Sequence, residues 1–268
     1  MNKAYFENKV CVITGASTGM GKGIALSFLK EGANVVAVAR RLERLEALKA
    51  EAEALGLGDK LVIMAGDVSK SDDCVAAFEC CDKNFGTCNV LVQNAGIMDN
   101  FARVADIDDE VWEKVIAVNM TGVMYMLRAG IRYFLAHETP ASVIVTTSDA
   151  VAQQATGGSA YSASKCGAAG LIGAAAFEYS NKGIRFNQIC PGAVMTNISE
   201  SIGSYSRVDM EGMQYHRTHG YNAHKGEWVC KEMGIPEDIA PVAVFLASDE
   251  SNFVNNQRIM VNGGLNLG

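Results

Sequence analysis

The sequence lacks the features that send a protein across a membrane or anchor it there. Residues 1–9 are polar and contain no apolar segment of the kind found at the centre of a secretory signal. The longest apolar run, residues 168–177, is too short to span a bilayer as a helix. We therefore expect a cytoplasmic protein with no membrane partner.

The sequence also lacks the spacings of a disulfide framework or a metal site. None of its eight cysteines forms a C-x-x-C pair, and Cys11 and Cys190 lie inside apolar runs, which indicates buried thiols. Three of the four histidines, His216, His219 and His224, share one segment, but not with the spacing of a zinc site. We expect neither disulfides nor a bound metal.

Positive charge is in short supply. The net charge of −7 argues against a nucleic acid or an anionic membrane as the main partner. Of the residues, 49% are hydrophobic and 20% are charged, as in an ordinary globular protein. A length of 268 residues, without repeats, low-complexity stretches or a linker, indicates one domain over residues 1–268.

A glycine-rich turn follows the first apolar run. Residues 9–14 predict a buried strand that leads into Gly15, Gly19 and Gly21, and a segment with helical spacing comes next. Strand, turn and helix together present backbone N–H groups and a helix N-terminus to a phosphate. The glycines permit a tight turn and the close approach of a pyrophosphate. This arrangement predicts a dinucleotide site.

The second predicted strand, residues 34–39, ends without an acidic residue. In NAD-binding units an acid there accepts a hydrogen bond from the ribose 2′-OH. Here Ala39 takes that place, and Arg40 and Arg41 follow. Guanidinium groups can pair with a 2′-phosphate bidentately, so the pattern favours NADP(H) over NAD(H). In the alternative interpretation the two arginines simply begin a solvated helix.

Strand-like and helix-like segments alternate along the chain. Further strands are predicted at residues 61–65, 89–93, 142–147, 184–190 and 258–261, and long helices at 71–85 and 109–134. The alternation predicts an α/β fold, a Rossmann-type doubly wound parallel sheet of about seven strands flanked by helices. A ligand of such a sheet binds at the carboxyl ends of the strands, where the Gly15 turn, Asn94, Ser148 and Pro191 fall.

Two residues after the third strand have two interpretations. Asp67 and Val68 stand at its carboxyl end, a position that suggests contact with an adenine. The second interpretation is that Asp67 caps the helix that starts at residue 71, and the two interpretations are compatible.

Tyr161 and Lys165 lie four residues apart on a predicted helix, and therefore on one face of it. The ordinary pKa of a phenol is about 10, and a nearby ammonium lowers it. Ser148, at the end of a buried strand, can hold a carbonyl against the phenol. These three side chains are the minimum set of groups for moving a proton to or from an alcohol oxygen. Asn119 is polar among apolar neighbours, which a structural hydrogen bond alone explains.

Residues 197–233 are irregular, and loops of this length are commonly functional lids. The segment is rich in apolar and aromatic side chains, which suits a bulky apolar alcohol such as a steroid or bile acid. In the alternative interpretation the lid only packs on itself. His216, Arg217, His219, His224 and Lys225 give the segment a modest basic patch.

The chain resembles the short-chain dehydrogenase/reductase family from about Lys9 to Gly264. The resemblance is carried, in family order and spacing, by Thr14-Gly-Ala-Ser-Thr-Gly19-Met-Gly21, Asn94-Ala95-Gly96, Asn119, Ser148, Tyr161-x-x-x-Lys165 and Pro191-Gly192 with Thr196. Two positions depart from the family pattern. Gln93 replaces a commoner Asn, which we expect to be harmless. Thr18 stands where many NADP-dependent members carry a base, so only Arg40 and Arg41 argue for NADP.

The resemblance implies roles for four catalytic residues. Tyr161 is the general acid and base, and Lys165 binds the nicotinamide ribose and lowers the Tyr161 pKa. Ser148 steadies the substrate oxygen, and Asn119 holds a water that links Lys165 to solvent.

The resemblance also implies a cofactor site. Arg40 takes the 2′-phosphate, Asp67 and Val68 flank the adenine, Asn94 supports the sheet near the ribose, and Thr196 caps the carboxamide. The full set of residues implied is Gly15, Ser17, Thr18, Gly19, Met20, Gly21, Arg40, Arg41, Asp67, Val68, Asn94, Ala95, Gly96, Tyr161, Lys165, Pro191, Gly192, Val194 and Thr196.

The implied activity is that of an NAD(P)-dependent oxidoreductase that interconverts a small-molecule secondary alcohol and a ketone. We rank a hydroxysteroid or bile acid first among substrates and a 3-oxoacyl-[acyl-carrier-protein] second. The family also suggests a homotetramer or homodimer. A function of another class, a non-catalytic NADPH-binding sensor, is disfavoured because such descendants typically lose the Tyr or the Lys.

Overall fold

The computed structural model describes residues 6–153, 157–216 and 233–264. Within these residues, seven parallel strands form one sheet in the order β3-β2-β1-β4-β5-β6-β7. The strands are β1 (Val10–Thr14), β2 (Asn34–Ala39), β3 (Leu61–Ala65), β4 (Val90–Gln93), β5 (Ala141–Thr146), β6 (Ile184–Pro191) and β7 (Arg258–Val261). The predicted Rossmann-type fold is confirmed, and the predicted strand ends are correct to within one residue.

The strand order reverses between β1 and β4, where the chain crosses from one side of the sheet to the other. Parallel sheets bind ligands at such a switch point, at the carboxyl ends of the strands. In β1 the side chains alternate between two cores, since Cys11 and Ile13 face one and Val10 and Val12 face the other. Burial on both faces explains why these strands are continuous apolar runs.

Helices cover both faces of the sheet. The described helices are α1 (Gly19–Lys30), α2 (Leu42–Ala54), α3 (Ser71–Phe85), α4 (Asp109–Ile116), α5 (Gly122–Ala136), α6 (Ser159–Tyr179), α7 (Met210–His216) and α8 (Pro236–Ala247). Helices α1, α2 and α8 contribute to one core, and α3, α5 and α6 to the other. Within the residues that the structure describes, no helix is long and apolar enough to cross a membrane.

The long helix predicted over residues 109–134 is interrupted. A π-helical turn, Ala117–Thr121, separates α4 from α5 and carries Asn119. The Asn119 side chain bonds the backbone of Ile97 in both directions, with both distances 2.9 Å. Wide turns of this kind are frequent at functional sites, where they redirect one side chain.

Only part of the predicted lid, residues 197–233, falls within the described residues. A 3₁₀ segment, Asn197–Ser204, follows β6 and leads to α7. Trp228 and the basic residues predicted at 217, 219, 224 and 225 lie outside the described residues. The division of the chain into one domain with a lid therefore stays a prediction.

The described cysteines are free thiols. They are Cys11, Cys74, Cys80, Cys81, Cys88, Cys166 and Cys190. Burial raises the pKa of the Cys11 thiol well above its usual value and that of Cys190 also. These thiols therefore remain protonated and unreactive at neutral pH.

Candidate active site

The glycine turn between β1 and α1 has the shape that a phosphate cradle requires. Gly15 and Gly19 have φ of +65° and +55°, a region that side chains with a Cβ rarely adopt. A Cβ on Gly21 would lie 2.2 Å from the carbonyl oxygen of Gly15. The absence of side chains therefore shapes the turn and leaves the N-terminus of α1 open to an anion.

The turn opens onto a cavity of about 530 Å³ at the switch point of the sheet. Its wall includes most of the predicted cofactor residues, namely Gly15, Ser17, Thr18, Gly19, Met20, Arg40, Arg41, Asp67, Val68, Asn94, Ala95, Gly96 and Thr196. A single continuous surface thus runs from the arginines after β2 to Thr196 after β6.

Six predicted cofactor residues do not line this cavity, and two of them, Tyr161 and Lys165, are described below. Gly21 is buried beneath the turn, where it lets Gly15 and Asn94 approach each other. Pro191 ends β6, and Gly192 packs so closely on Asn262 that a Cβ would lie 2.6 Å from the Asn262 Cβ. Val194 forms an isolated β-bridge with Gly234. Their cofactor roles stay predictions.

The β4 end of the cavity is held by Thr14. Its hydroxyl oxygen accepts hydrogen bonds from the backbone N–H groups of Asn94, at 3.1 Å, and Ala95, at 3.2 Å. The Asn94 side chain donates to the carbonyl oxygen of Gly15, at 3.4 Å. Its amide oxygen is buried and has no hydrogen-bond partner among the described residues. A buried acceptor at the cavity wall suits a hydrogen-bond donor on a bound group.

These observations fit a dinucleotide. The turn is shaped by the absence of Cβ atoms, the helix N-terminus faces the cavity, and the buried Asn94 oxygen can accept a hydrogen bond from a bound group.

Gln93 stands where the family commonly has Asn, a replacement that we expected to be harmless. Its side-chain amide is buried, and neither of its polar atoms has a hydrogen-bond partner among the described residues. Such burial has a cost in stability.

Asp67 lines the cavity but does not cap α3. Its carboxylate accepts hydrogen bonds from the backbone N–H and the hydroxyl of Ser69, at 3.0 and 2.8 Å. The residue before α3 is Lys70, which makes no side-chain cap. The helix-cap interpretation is therefore wrong, because Asp67 stabilises the turn between β3 and α3.

Tyr161 and Lys165 lie on α6 and are both buried, with exposed fractions of 8% and 5%. The ammonium nitrogen of Lys165 lies 5.6 Å from the centre of the Tyr161 ring. It donates a hydrogen bond to the carbonyl oxygen of Thr146, the last residue of β5, at 3.0 Å. Burial lowers the Lys165 pKa to about 8, so at neutral pH the group carries its charge in a dry environment.

The Tyr161 pKa differs from the sequence-based expectation. Burial raises it to about 12, and the carboxylates of Asp149 and Asp99 add to the rise. A hydrogen bond with Ser148 acts in the opposite direction. The structure does not give the expected lowering of the Tyr161 pKa by Lys165: desolvation of the phenolate is the largest effect, and the Lys165 ammonium bonds to the carbonyl oxygen of Thr146. The phenol is therefore poised as a proton donor.

Ser148 follows β5 and begins a short 3₁₀ turn, Asp149–Val151. Its hydroxyl accepts a hydrogen bond from the backbone N–H of Ala150, at 3.1 Å, and donates one to Asp149, at 3.2 Å. The turn therefore fixes the position of the hydroxyl. Ser148 lies after β5 and Tyr161 lies on α6, and their side chains are hydrogen-bonded.

Asn119 is fully buried, and its amide also donates to the hydroxyl of Ser164, at 3.1 Å. These bonds match the structural-hydrogen-bond alternative, and the implied water stays a prediction. A Cβ on Gly96 would lie 3.4 Å from both the Asn119 amide oxygen and the Lys165 nitrogen. Gly96 lines the cavity, so Asn119 and Lys165 border the cofactor end of the site.

Sequence reasoning missed three charged residues at the site. Asp99 accepts a hydrogen bond from the Tyr161 backbone N–H, at 2.9 Å. Glu200 and Lys114 line the cavity from the 3₁₀ segment and from α4. Asp99 stands three residues after the Asn94-Ala95-Gly96 motif, which offers a weak signal. Glu200 and Lys114 carry none, since only the tertiary fold brings them there.

Within the described residues, no group of three His, Cys, Asp or Glu side chains is arranged to hold a metal ion. His219 and His224 lie outside these residues. The expectation of a metal-free site stays a prediction.

A buried Tyr and Lys beside a dinucleotide cavity define a class of nicotinamide-dependent oxidoreductases. The family model for short chain dehydrogenases matches residues 9–206. The chain belongs to the short chain dehydrogenase family and is an NAD(P)-dependent dehydrogenase that acts on CH–OH groups. The family resemblance is therefore confirmed.

Two curated relatives cover nearly the whole chain. The chain is 39% identical to 3beta-hydroxysteroid dehydrogenase 2 of Eggerthella lenta, over 96% of this chain and 94% of that protein. It is 34% identical to the 3-oxoacyl-[acyl-carrier-protein] reductase FabG of Thermotoga maritima, over 97% and 98%. The crystal structure of a short-chain type dehydrogenase/reductase from Mycobacterium marinum superposes with a TM-score of 0.85 at 26% identity, covering 100% and 99% of the two chains.

Proposed function

We propose that this dehydrogenase interconverts a hydroxysteroid or bile acid with the corresponding ketone. The observation that carries the proposal is the identity of 39% to a protein named as a 3beta-hydroxysteroid dehydrogenase, along 96% of the chain. The reacting group is then a secondary alcohol on a rigid apolar ring.

Tyr161 serves as the general acid and base. A bound nicotinamide nucleotide supplies or accepts the hydride at its C4 carbon. In reduction the Tyr161 hydroxyl donates its proton to the oxygen of the ketone, and in oxidation the phenolate takes the proton from the alcohol. Acid–base assistance of this kind is worth roughly 10²–10⁴-fold in rate, and a raised pKa keeps the phenol protonated for reduction.

Ser148 and Lys165 position the reacting groups. The Ser148 hydroxyl holds the substrate oxygen against Tyr161, and holding reactants in register supplies much of the remaining acceleration. Lys165 binds the nicotinamide ribose, and Asn119 maintains the π turn beside it. In support, all four side chains are buried.

The apolar character of the lid supports a bulky apolar substrate. In the described part of the lid, Met210 is 67% exposed and Tyr215 is 51% exposed. Exposed apolar groups commonly mark a place where a ligand or partner binds. A lid that packed only on itself would bury them.

The second candidate is a 3-oxoacyl-[acyl-carrier-protein] reductase. The identity of 34% to the Thermotoga maritima reductase favours it. An acidic carrier protein would require a basic patch beside the pocket, and the candidates at 217, 219, 224 and 225 lie outside the described residues. The lower identity and the net charge of −7 place this function second.

Arg40 and Arg41 support NADP(H) over NAD(H) as the cofactor. Both line the cavity directly after β2, and Arg40 has no hydrogen bond or ion pair to another described residue. We expect Arg40→Ala to weaken NADPH far more than NADH in binding titrations. Equal losses for both nucleotides would reject the 2′-phosphate contact.

A screen of substrate classes tests the proposed function. Purified protein is assayed for NADPH and NADH oxidation with ketosteroids, acyl thioesters and polyol-derived ketones, and for the reverse reaction with the alcohols. We expect turnover of 3-hydroxysteroids, which Tyr161→Phe removes while nucleotide binding stays nearly intact. Turnover of acyl thioesters alone would favour the second candidate. Nucleotide binding without turnover of any class would indicate the sensor function.

We also propose a cytoplasmic homotetramer or homodimer, as is usual in the family. Size-exclusion chromatography with light scattering measures the subunit number directly, and a monomer would contradict it.

A further inference from the structure

One carboxylate occupies the arginine end of the cofactor cavity. Glu200, in the 3₁₀ segment Asn197–Ser204, forms ion pairs with Arg41, at 2.8 Å, and with Arg44, at 3.0 Å. The Asn197 side-chain amide donates to the same carboxylate, at 2.8 Å. Glu200 and Arg41 both line the cavity. The arginine expected to take a 2′-phosphate alongside Arg40 therefore already has an anionic partner.

The fold holds Glu200 at this place. Its neighbour Ser201 accepts a hydrogen bond from the backbone N–H of Met98, at 2.9 Å, and Ser204 accepts one from Lys114, at 3.0 Å. The hydroxyl of Tyr205, just after the segment, donates to the carbonyl oxygen of Met98, at 2.7 Å. Three bonds to two other elements thus fix the segment across the cavity.

Glu200 carries its charge throughout the physiological range. Hydrogen bonds from Arg41 and Arg44 lower its pKa to about 2. About two fifths of the side chain is exposed, and an exposed ion pair adds little to folding stability. Its effect is therefore on the charge that a bound nucleotide meets.

The position of this charge resembles that of the acid missing after β2. In NAD-binding units a carboxylate at the end of that strand accepts a hydrogen bond from the ribose 2′-OH and repels a 2′-phosphate. Here Ala39 ends β2, and Glu200 enters from a segment 161 residues further along the chain. Its carboxylate pairs with Arg41, two residues after Ala39, and both side chains line the same cavity.

We propose that Glu200 is a specificity-determining residue that opposes the 2′-phosphate of NADP(H) and moves the enzyme towards use of both nucleotides. The proposal rests on the proposed nicotinamide-dependent function. A 2′-phosphate has to compete with the carboxylate for Arg41, whereas Arg40 remains open to it. A ribose 2′-OH can instead donate a hydrogen bond to Glu200. The preference for NADP(H) or NAD(H) then depends on how strongly Arg40 attracts the 2′-phosphate and how strongly Glu200 repels it.

Binding of nucleotide fragments tests the proposal without turnover. Calorimetric titration gives the Kd of adenosine 2′,5′-bisphosphate and of adenosine 5′-monophosphate for the wild type and for Glu200→Gln. We expect the variant to bind the bisphosphate roughly threefold to tenfold more tightly, because a like charge is removed. The monophosphate should bind with unchanged or weaker affinity. The same shift should appear for NADPH against NADH by fluorescence titration.

Two further variants test the sign of the charge effect and provide a control for net charge. Glu200→Lys should raise the preference for the bisphosphate further than Glu200→Gln. Glu178→Gln changes net charge equally on the exposed side of α6, and it should leave the ratio of the two affinities unchanged. For Glu200→Gln, the gain should shrink in 0.5 M salt, since mobile ions screen an exposed charge.

The outcomes separate this proposal from the proposed function. An unchanged ratio in Glu200→Gln, or an equal change in both Kd values, overturns the role of Glu200 while leaving the dehydrogenase function intact. A wild type that binds neither NADPH nor NADH overturns the proposed function itself.

Discussion

The carboxylate of Asp99 accepts a hydrogen bond from the backbone N–H of Tyr161, with 2.9 Å between oxygen and nitrogen. Its other oxygen accepts one from the backbone N–H of Phe101, at 3.1 Å. Asp99 is 1% exposed, and a Cβ on Gly158 would lie 2.0 Å from it. Asp99 therefore connects the first turn of α6 to the loop after β4 and fixes the position of the Tyr161 backbone.

Asp99 also acts on the proton chemistry of Tyr161. Burial raises the Tyr161 pKa most, and the negative charges of Asp149 and Asp99 raise it further. We expect Asp99→Asn to lower that pKa, because the charge is removed while one acceptor oxygen remains. Alcohol oxidation requires the phenolate, so kcat/KM for oxidation rises with pH as Tyr161 ionises. In the variant this rise should occur at lower pH. Profiles of rate against pH in the oxidation direction measure this shift.

A matched control separates charge from helix capping. Asp209 accepts a hydrogen bond from the backbone N–H of Gly212, at 2.8 Å, in the first turn of α7. Asp209→Asn should leave the pH profile in place. Asp209 also accepts a hydrogen bond from the backbone N–H of Arg103, so each variant loses one of two backbone bonds, worth about 1 kcal/mol or roughly 2–4 °C in melting temperature for a protein of this size. A profile of Asp99→Asn that overlays the wild type would reject the electrostatic role.

Gly21 should be indispensable to cofactor binding. A Cβ there would lie 2.2 Å from the Gly15 carbonyl oxygen and 2.6 Å from the Asn94 amide nitrogen. Gly21→Ala must displace the phosphate turn, and we expect it to weaken NADPH and NADH by more than about tenfold and to destabilise the fold by about 1–3 kcal/mol. Fluorescence titration and thermal unfolding measure the two effects.

Gly170 provides the contrasting variant. It lies in the middle of α6, and a Cβ there would meet nothing within 4 Å. Gly170→Ala should raise the free energy of unfolding by about 0.5–1 kcal/mol, since alanine has the higher helix propensity, and leave both nucleotide affinities unchanged. Wild-type affinity in Gly21→Ala would show that the turn tolerates a Cβ at this position, and would reject the requirement for glycine there.

Most of the fold could be predicted because its signals are local. The five inner strands are apolar runs buried on both faces, as at Val35 and Val36, and each run ends in a turn. The break between α4 and α5 could not be predicted, because its cause is a bond between Asn119 and Ile97, 22 residues apart. Periodicity alone continues a helix through such a break.

The site could be predicted only where its residues form short motifs. The glycine turn and the Tyr161–Lys165 pair are of this kind. Asp99 and Glu200 act through partners 62 and 159 residues away, and only Asp99 has even a weak local signal, its position just after the Asn94-Ala95-Gly96 motif. The sign of the Tyr161 pKa shift also escaped prediction, since motif spacing suggests the neighbouring ammonium but not the degree of burial.

We expect the buried Lys165 to lower the free energy of unfolding. Burial lowers its pKa from 10.5 to about 8, which corresponds to roughly 3 kcal/mol of unfavourable free energy at most. The folded pKa lies below the unfolded one, so the full penalty is present below about pH 8. As pH rises towards 10.5, the unfolded state binds more protons than the folded state, and the penalty fades.

We therefore expect Lys165→Met to be more stable than the wild type at pH 7, by about 1–3 kcal/mol, while losing turnover. The loss of the bond to Thr146 offsets part of the gain, by about 1 kcal/mol. The difference between the two proteins should shrink as the pH rises from about 8 to 10. Denaturant unfolding at pH 7 and pH 10 measures it, and Lys182→Met, at an exposed lysine, should differ from wild type by less than about 0.5 kcal/mol at both. A Lys165→Met protein less stable than wild type at pH 7 would mean that the buried ammonium contributes to folding, and that the geometry at Thr146 more than compensates for its desolvation.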